Sequence, residues 1–303
     1  MCLKKILFTF LLIIAVAPIS TKVKAASEGK TGLAFLKVGV GARASGMGEA
    51  YSAVVNDATA SYWNPSALLS ASGPNAALVY NSWLLDVKSE FGSLQFSRNW
   101  AVSVYSFHLS DIPVRTIPSA EPIENTGAQY FSFAISHARA ISQKLHIGLT
   151  AKYLFEKIHV NSATGGAVDV GLRYSAVAQK LNFAAVIQNL GGMGKMVNES
   201  TTLPALSRFG VMYELPRTYG PMNILLAADF SVPFKENIRA HFGTELSFWQ
   251  QLLIRAGYVG GNESRSFSFG IGVSKSWFRF DYSITPFKND LETGHQFSIF
   301  LAL

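Results

Sequence analysis

Phe278-Arg279-Phe280-Asp281-Tyr282-Ser283-Ile284 alternates without a fault: Phe278, Phe280, Tyr282 and Ile284 fall on one face, and Arg279, Asp281 and Ser283 on the other. A period of two is the signature of a strand, because successive side chains there point to opposite faces. The same pattern recurs along the chain. Phe267, Phe269, Ile271 and Val273 oppose Ser268, Gly270, Gly272 and Ser274, and Leu145 to Phe155 alternates with His146, Gly148, Thr150, Lys152 and, one step on, Glu156. Val168, Val170, Leu172 and Tyr174 oppose Asp169, Gly171 and Arg173; Phe209, Val211 and Tyr213 oppose Gly210, Met212 and Glu214. The C-terminus closes on Phe297, Ile299, Leu301 and Leu303.

Alternating strands build soluble sandwiches as well as membrane barrels, so three further features bear on the choice. The runs reach about 9 to 11 residues, the length that crosses a bilayer at a tilt, whereas strands of soluble proteins usually have 5 or 6. Their polar faces carry Gly, Ser and mixed charges, which suit a lumen. Trp83, Trp100, Trp249, Tyr258 and Trp277 sit near strand ends, where an interfacial girdle would place them. Strands are expected near 75–83, 90–98, 100–109, 129–139, 144–158, 167–175, 181–190, 206–215, 224–232, 239–249, 252–260, 265–275, 278–286 and 295–303. An even number returns the last strand to the side of the first, and the connections after odd strands are the longer ones, which places them outside the cell and both termini in the periplasm. The expectation is an all-β chain forming a 14-stranded antiparallel transmembrane barrel; a secreted sandwich is the alternative.

Composition fits that reading. Of 303 residues, 49% are apolar and only 15% charged, with 22 Phe, 11 Tyr and 5 Trp; a typical soluble protein carries about 25% charged residues. The net charge of +7 hints at nucleic acid until the N-terminus is set apart. Lys4 and Lys5 precede an apolar run from Ile6 to Ala17, and Val23-Lys24-Ala25 supplies a cleavage site, so residues 1–25 read as a secretory signal. Its loss removes four lysines, leaving 22 basic against 19 acidic side chains, and no basic stripe interleaved with aromatics occurs later. No nucleic-acid partner is expected. Cys2 is the sole cysteine, which excludes a disulfide framework and a thiolate metal site.

Residues 26–74 break the alternation. They contain FLKVGVGARASGMGEAY (Phe35–Tyr51) and NDATASYWNPSAL (Asn56–Leu68), rich in the small residues that let backbone pack on backbone. This pair of motifs ahead of a barrel resembles the PorV/PorQ family of outer-membrane proteins, which is similar in architecture to the fatty-acid transporter FadL. The resemblance implies an N-terminal hatch over 26–74 inside a barrel over 75–303. It also implies a role in type IX secretion, in which exported proteins and secretion components dock on loops 110–128 and 191–205. A FadL-like transporter of a hydrophobic small molecule and a porin-like structural barrel are the alternatives; outer-membrane lipid is a partner in each.

The motif residues have physical roles. Asn64 and Pro65 combine a side chain that caps backbone with a fixed φ, so they should set one rigid turn. Asp57 can accept backbone N–H groups, Arg43 can pair with lumen carboxylates, and Gly46 and Gly48 permit close approach. A buried hatch must pair its charges, and the alternation nominates Lys152, Glu156, Asp169, Arg173, Glu214, Asp229, Glu245, Arg255, Arg279 and Asp281 as lumen partners. In the third strand, Val102 and Val104 share one phase and Phe107 the other. That slip near Tyr105 suggests a bulge and a lateral opening around Tyr105, Phe107 and His108. No enzyme signature is present: the six histidines lack HExxH spacing, Gly39, Gly41, Gly46 and Gly48 do not form GxGxxG, and GxSxG is absent. Neither catalysis, cofactor nor metal is expected.

Overall fold

Strands follow one another from residue 75 because the alternation established above runs almost unbroken to the end of the chain. The computed structural model describes residues 31–83, 87–115, 123–177, 180–216, 220–288 and 292–303; the signal segment read at 1–25 lies outside the described residues. The strands are β1 Asn75–Ser82, β2 Lys88–Ser97, β3 Trp100–Val114, β4 Glu124–Ala140, β5 Leu145–Ile158, β6 Asn161–Ala176, β7 Leu181–Met193, β8 Lys195–Met196, β9 Glu199–Ser200, β10 Leu206–Glu214, β11 Met222–Pro233, β12 Arg239–Phe248, β13 Leu252–Gly260, β14 Phe267–Lys275, β15 Phe278–Thr285 and β16 Gly294–Ala302. Fourteen of them close into one antiparallel barrel, β1 pairing with both β2 and β16; β8 and β9 form a separate small hairpin.

The faces are those the alternation requires. In β15 Asp281 and Ser283 are buried inside while Phe280 is exposed outside, and Leu78, Tyr153, Phe209 and Phe269 likewise point outward. A belt of exposed Leu, Val, Ile and Phe running round a closed barrel is stable only against lipid, since water would oppose each such side chain by about 25 cal/mol per Å² of apolar area. Closure also leaves no strand edge with unpaired backbone groups.

Two expectations about the connections are corrected. Residues 110–114 and 124–128 are strand, leaving 115–123 as the connection, and within 191–205 residues 191–193 extend β7 while β8 and β9 fold as a hairpin. The connections expected over 110–128 and 191–205 are therefore shorter than the alternation suggests, because Ile112 and Val114 continue the ladder to Thr126 and Glu124. The bulge also lies elsewhere. Tyr105, Phe107 and His108 pair in unbroken register with β2 and β4, and the register shifts between Leu109 and Ile112 instead.

The wall is uneven. Strands β3 to β7 have 13 to 17 residues, and the other barrel strands 8 to 12. The surplus stands at the end opposite the barrel's termini, where Val114 pairs with Glu124 and Ile158 with Asn161.

Residues 31–74 lie within the barrel. They contain only short helical pieces, Ala34–Lys37, Ala42–Gly46, Ala60–Trp63 and Pro65–Ser70. Leu33, Val40, Met47, Val54, Trp63 and Leu68 form the inner core with Phe91, Tyr105 and Leu154 of the wall.

Candidate functional site

A segment with so little regular structure leaves many backbone groups without partners, and buried ones must find them. Here the wall supplies them. Ser298 accepts from Ala42 N–H at 2.7 Å, Asp229 from Ser52 N–H at 2.9 Å and Asn75 from Ala58 N–H at 2.6 Å. Gln296 donates to Gly39 O at 3.0 Å, Gln188 to Tyr62 O at 2.6 Å and Gln95 to Leu68 O at 2.9 Å. These partners come from β1, β2, β7, β11 and β16, so the hatch is pinned around most of the circumference.

Asn64 is the N-cap of the turn beginning at Pro65: its Oδ1 accepts from Ser66 N–H at 3.2 Å and from the Ser66 hydroxyl at 2.6 Å. Asp57 accepts from Thr59 N–H at 3.0 Å. Gly48 has φ of 64°, and a Cβ there would stand 2.8 Å from Tyr258 N, so glycine is required on both counts. Wall glycines mark the other half of the contact. A Cβ on Gly148 would strike the Pro65–Ser66 backbone, one on Gly171 would strike Asn64, and one on Gly257 would strike Met47 and Gly48; Gly46 lies against Gly270.

Charges join hatch to wall in an alternating chain. Arg43 grips Glu245 with Nε and Nη2, both at 2.8 Å. Glu245 also accepts from Arg255 Nε at 2.6 Å, Arg255 Nη1 donates to Asp281 at 2.8 Å, Asp281 accepts from Arg279 Nε at 2.8 Å, and Arg279 Nη2 reaches Asp57 at 2.7 Å. Three guanidinium groups and three carboxylates thus neutralise one another, with hatch residues at both ends. Arg255, at its centre, is 1% exposed. On the opposite wall Lys152 pairs with Asp169 at 2.7 Å. Arg173 donates to Val55 O at 2.9 Å, and Glu156 accepts from Thr201 at 3.0 Å. Glu214 lines the open space at the mouth on the termini side. All ten wall candidates therefore face the lumen; Arg43, Glu245, Arg255, Arg279, Asp281 and Asp57 form one network, while Glu156, Arg173, Glu214 and Asp229 lie apart from it.

Several residues went unnoticed in the sequence. Glu49 pairs with Arg265 at 2.6 Å; burial, the largest single effect, would push its carboxyl up, but Arg265, His241 and Arg208 together outweigh it and hold it at about 2. Asp57 is likewise lowered, burial again being overcome by several groups together: Arg279, the Thr59 hydrogen bond and Arg43. Arg208 lies over the Trp63 ring at 5.0 Å, and His241 bonds Gly48 O at 2.8 Å. Arg208 and His241 share the inward phase of Gly210 and Gly243, a signal that was available. Lys37 and Glu236 pair at the far mouth, on which no periodicity bears.

The lumen has an aromatic wall where β2, β3 and β4 face the hatch. Phe35 of the hatch packs against Tyr105, Phe107 and Tyr130 with centroids 5.2, 5.8 and 5.6 Å away, and Tyr62 and Phe91 complete the cluster. The phase change read as a bulge is this cluster: Phe107 is apolar and points inward. His108 faces outward beside Glu90. No group of three or more His, Cys, Asp or Glu side chains that could hold a metal occurs among the described residues.

No family model and no curated sequence matches the chain. Solved structures do: the CymD monoaromatic hydrocarbon channel has a TM-score of 0.60 at 13% identity, covering 87% of this chain and 96% of its own. The fold is that of FadL-like barrels. The Ralstonia pickettii toluene transporter TbuX matches with TM-score 0.56 and 12% identity over 87% and 97% of the two chains. A Pseudomonas aeruginosa FadL homologue matches with 0.53 and 10% over 87% and 98%.

Proposed function

We propose that the chain is a non-enzymatic outer-membrane barrel that admits a hydrophobic small molecule past its hatch. One observation carries the reading: the aromatic cluster around Phe35, shared between hatch and wall, is an apolar surface inside the lumen that a hydrophobic solute would join. The fold shared with hydrocarbon channels supports it. Such a solute would displace Phe35 from Tyr105, Phe107 and Tyr130 and leave along β3. A sideways exit near Tyr105 to His108 requires that ladder to part, and the irregularity between Leu109 and Ile112 is its weakest neighbour.

A PorV-like role in type IX secretion is the second reading, favoured by the two hatch motifs. Those motifs are almost wholly buried against the wall, so packing of the plug already accounts for their composition, and cargo binding would fall to 115–123 and 194–205. Proteoliposomes holding the protein should take up toluene faster than empty ones, and Phe35→Ala should change that rate. Uptake no faster than through empty vesicles, with loss of exported proteins in a deletion strain, would reverse the order of the two readings.

A further inference from the structure

Beneath the hatch, at the mouth nearest the barrel's termini, lies a cavity of about 770 Å³. His146 of β5 and Arg173 of β6 are direct cross-strand partners on its wall. Arg173 is 95% buried, being 5% exposed, and its Nη1 holds Val55 O of the hatch turn at 2.9 Å. Its Nε, however, has no hydrogen-bond partner among the described residues, and neither has His146 Nδ1. Arg98, from the turn between β2 and β3, lines the same space.

An arginine buried without a carboxylate is costly; Arg43, Arg255 and Arg279 each have one, and Arg208, which has none, is held by Gln188 and the Trp63 ring. The carboxylates on this cavity do not supply one to Arg173. Glu245 is already held by Arg43 and Arg255, and Glu214 stands on β10 with no ion pair to Arg173. On the side from β2 to β6 the cavity is lined by Arg98, His146 and Arg173 and by no carboxylate. We propose that this cavity is a binding site for a small oxyanion, a carboxylate or a phosphate, seated between Arg173 and His146 with Arg98 at its outer edge. The planar guanidinium donates to such a group in charge-assisted bonds, which are about twice as strong as neutral ones. The occupant would sit directly under the hatch turn at Val54–Asn56, and the proposal stands whether or not a hydrocarbon is the transported solute.

The test titrates the full mature protein in detergent with inorganic phosphate, read by ³¹P line broadening, and then adds acetate as competitor. Saturable broadening is expected, weakened at least tenfold in Arg173→Gln and in His146→Asn, and unchanged within twofold in Glu263→Gln, in the loop after β13 at the opposite mouth. Acetate that displaces phosphate identifies a carboxylate site; phosphate that resists acetate identifies a phosphate site. Because Arg173 also holds the hatch, folding is checked by migration on unheated gels, and His146→Asn decides the matter if Arg173→Gln misfolds. Absence of saturable phosphate binding together with absence of any acetate-induced shift in the His146 ring signals, or full-strength binding by His146→Asn, would overturn the proposal.

Discussion

Replacing Arg255 with methionine removes the centre of the alternating charge chain. Its two bonds, 2.6 Å to Glu245 and 2.8 Å to Asp281, are lost together. Each carboxylate keeps one guanidinium, Arg43 for Glu245 and Arg279 for Asp281, but three acids now face two bases, leaving one uncompensated negative charge. Breaking a buried pair costs about 3–5 kcal/mol; with both acids still partnered, about 3 kcal/mol is expected. The double variant Arg255→Met/Asp281→Asn restores neutrality as two separate pairs, Arg43 with Glu245 and Arg279 with Asp57. It should be more stable than Arg255→Met alone, with a coupling of roughly 1–3 kcal/mol between the sites. Urea unfolding in lipid vesicles, followed by tryptophan fluorescence and by the folded band on unheated gels, measures all four proteins. If the losses simply add, so that the double variant is the least stable, the network is not a coupled charge balance and the reasoning fails.

Three shorter predictions concern the wall and the hatch. Phe280→Arg, on the lipid face, should destabilise the barrel by about 2–4 kcal/mol if it lies near midplane, falling towards 0–1 at the interface; unchanged refolding yields in bilayers would reject the face assignment. Gly257→Leu places a side chain where the Met47–Gly48 backbone runs, so the hatch must lift and single-channel conductance in planar bilayers should rise above the wild-type level, whereas the outward Ala256→Leu should leave it unchanged. Glu49 and Asp57 have lowered folded pKa values, so the native state binds fewer protons than the unfolded chain. The stability they contribute is complete above about pH 4.3 and is lost as pH falls towards 2, so hatch release, read as conductance, should begin below pH 4; a conductance flat down to pH 2 would refute it.

Strand phase carries most of the fold. Which face of β15 meets lipid follows from Phe280 and Asp281 alone, and the inward glycines at 148, 171 and 257 are, in retrospect, the footprint of the hatch. What periodicity does not encode is who meets whom across the lumen. That Asp57 reaches Arg279, 222 positions away, depends on how an irregular segment is threaded. The β3 misreading has the same origin: an apolar residue on the inward phase looks like a slip until the hatch brings Phe35 to meet it. Loop lengths failed for a different reason, because a strand standing above the bilayer needs no apolar face and so loses its alternation while keeping its ladder.

The five tall neighbours β3 to β7 have a directional consequence. About five surplus residues at roughly 3.3 Å each lengthen those strands by some 16 Å, which at a tilt of about 40° raises that arc about 12 Å above the rest, so the rim is a screen on one side and a low sill on the other. Whatever comes from solution is turned back along about a third of the perimeter and received across the long sill that runs from β10 through β16 and β1 to β2.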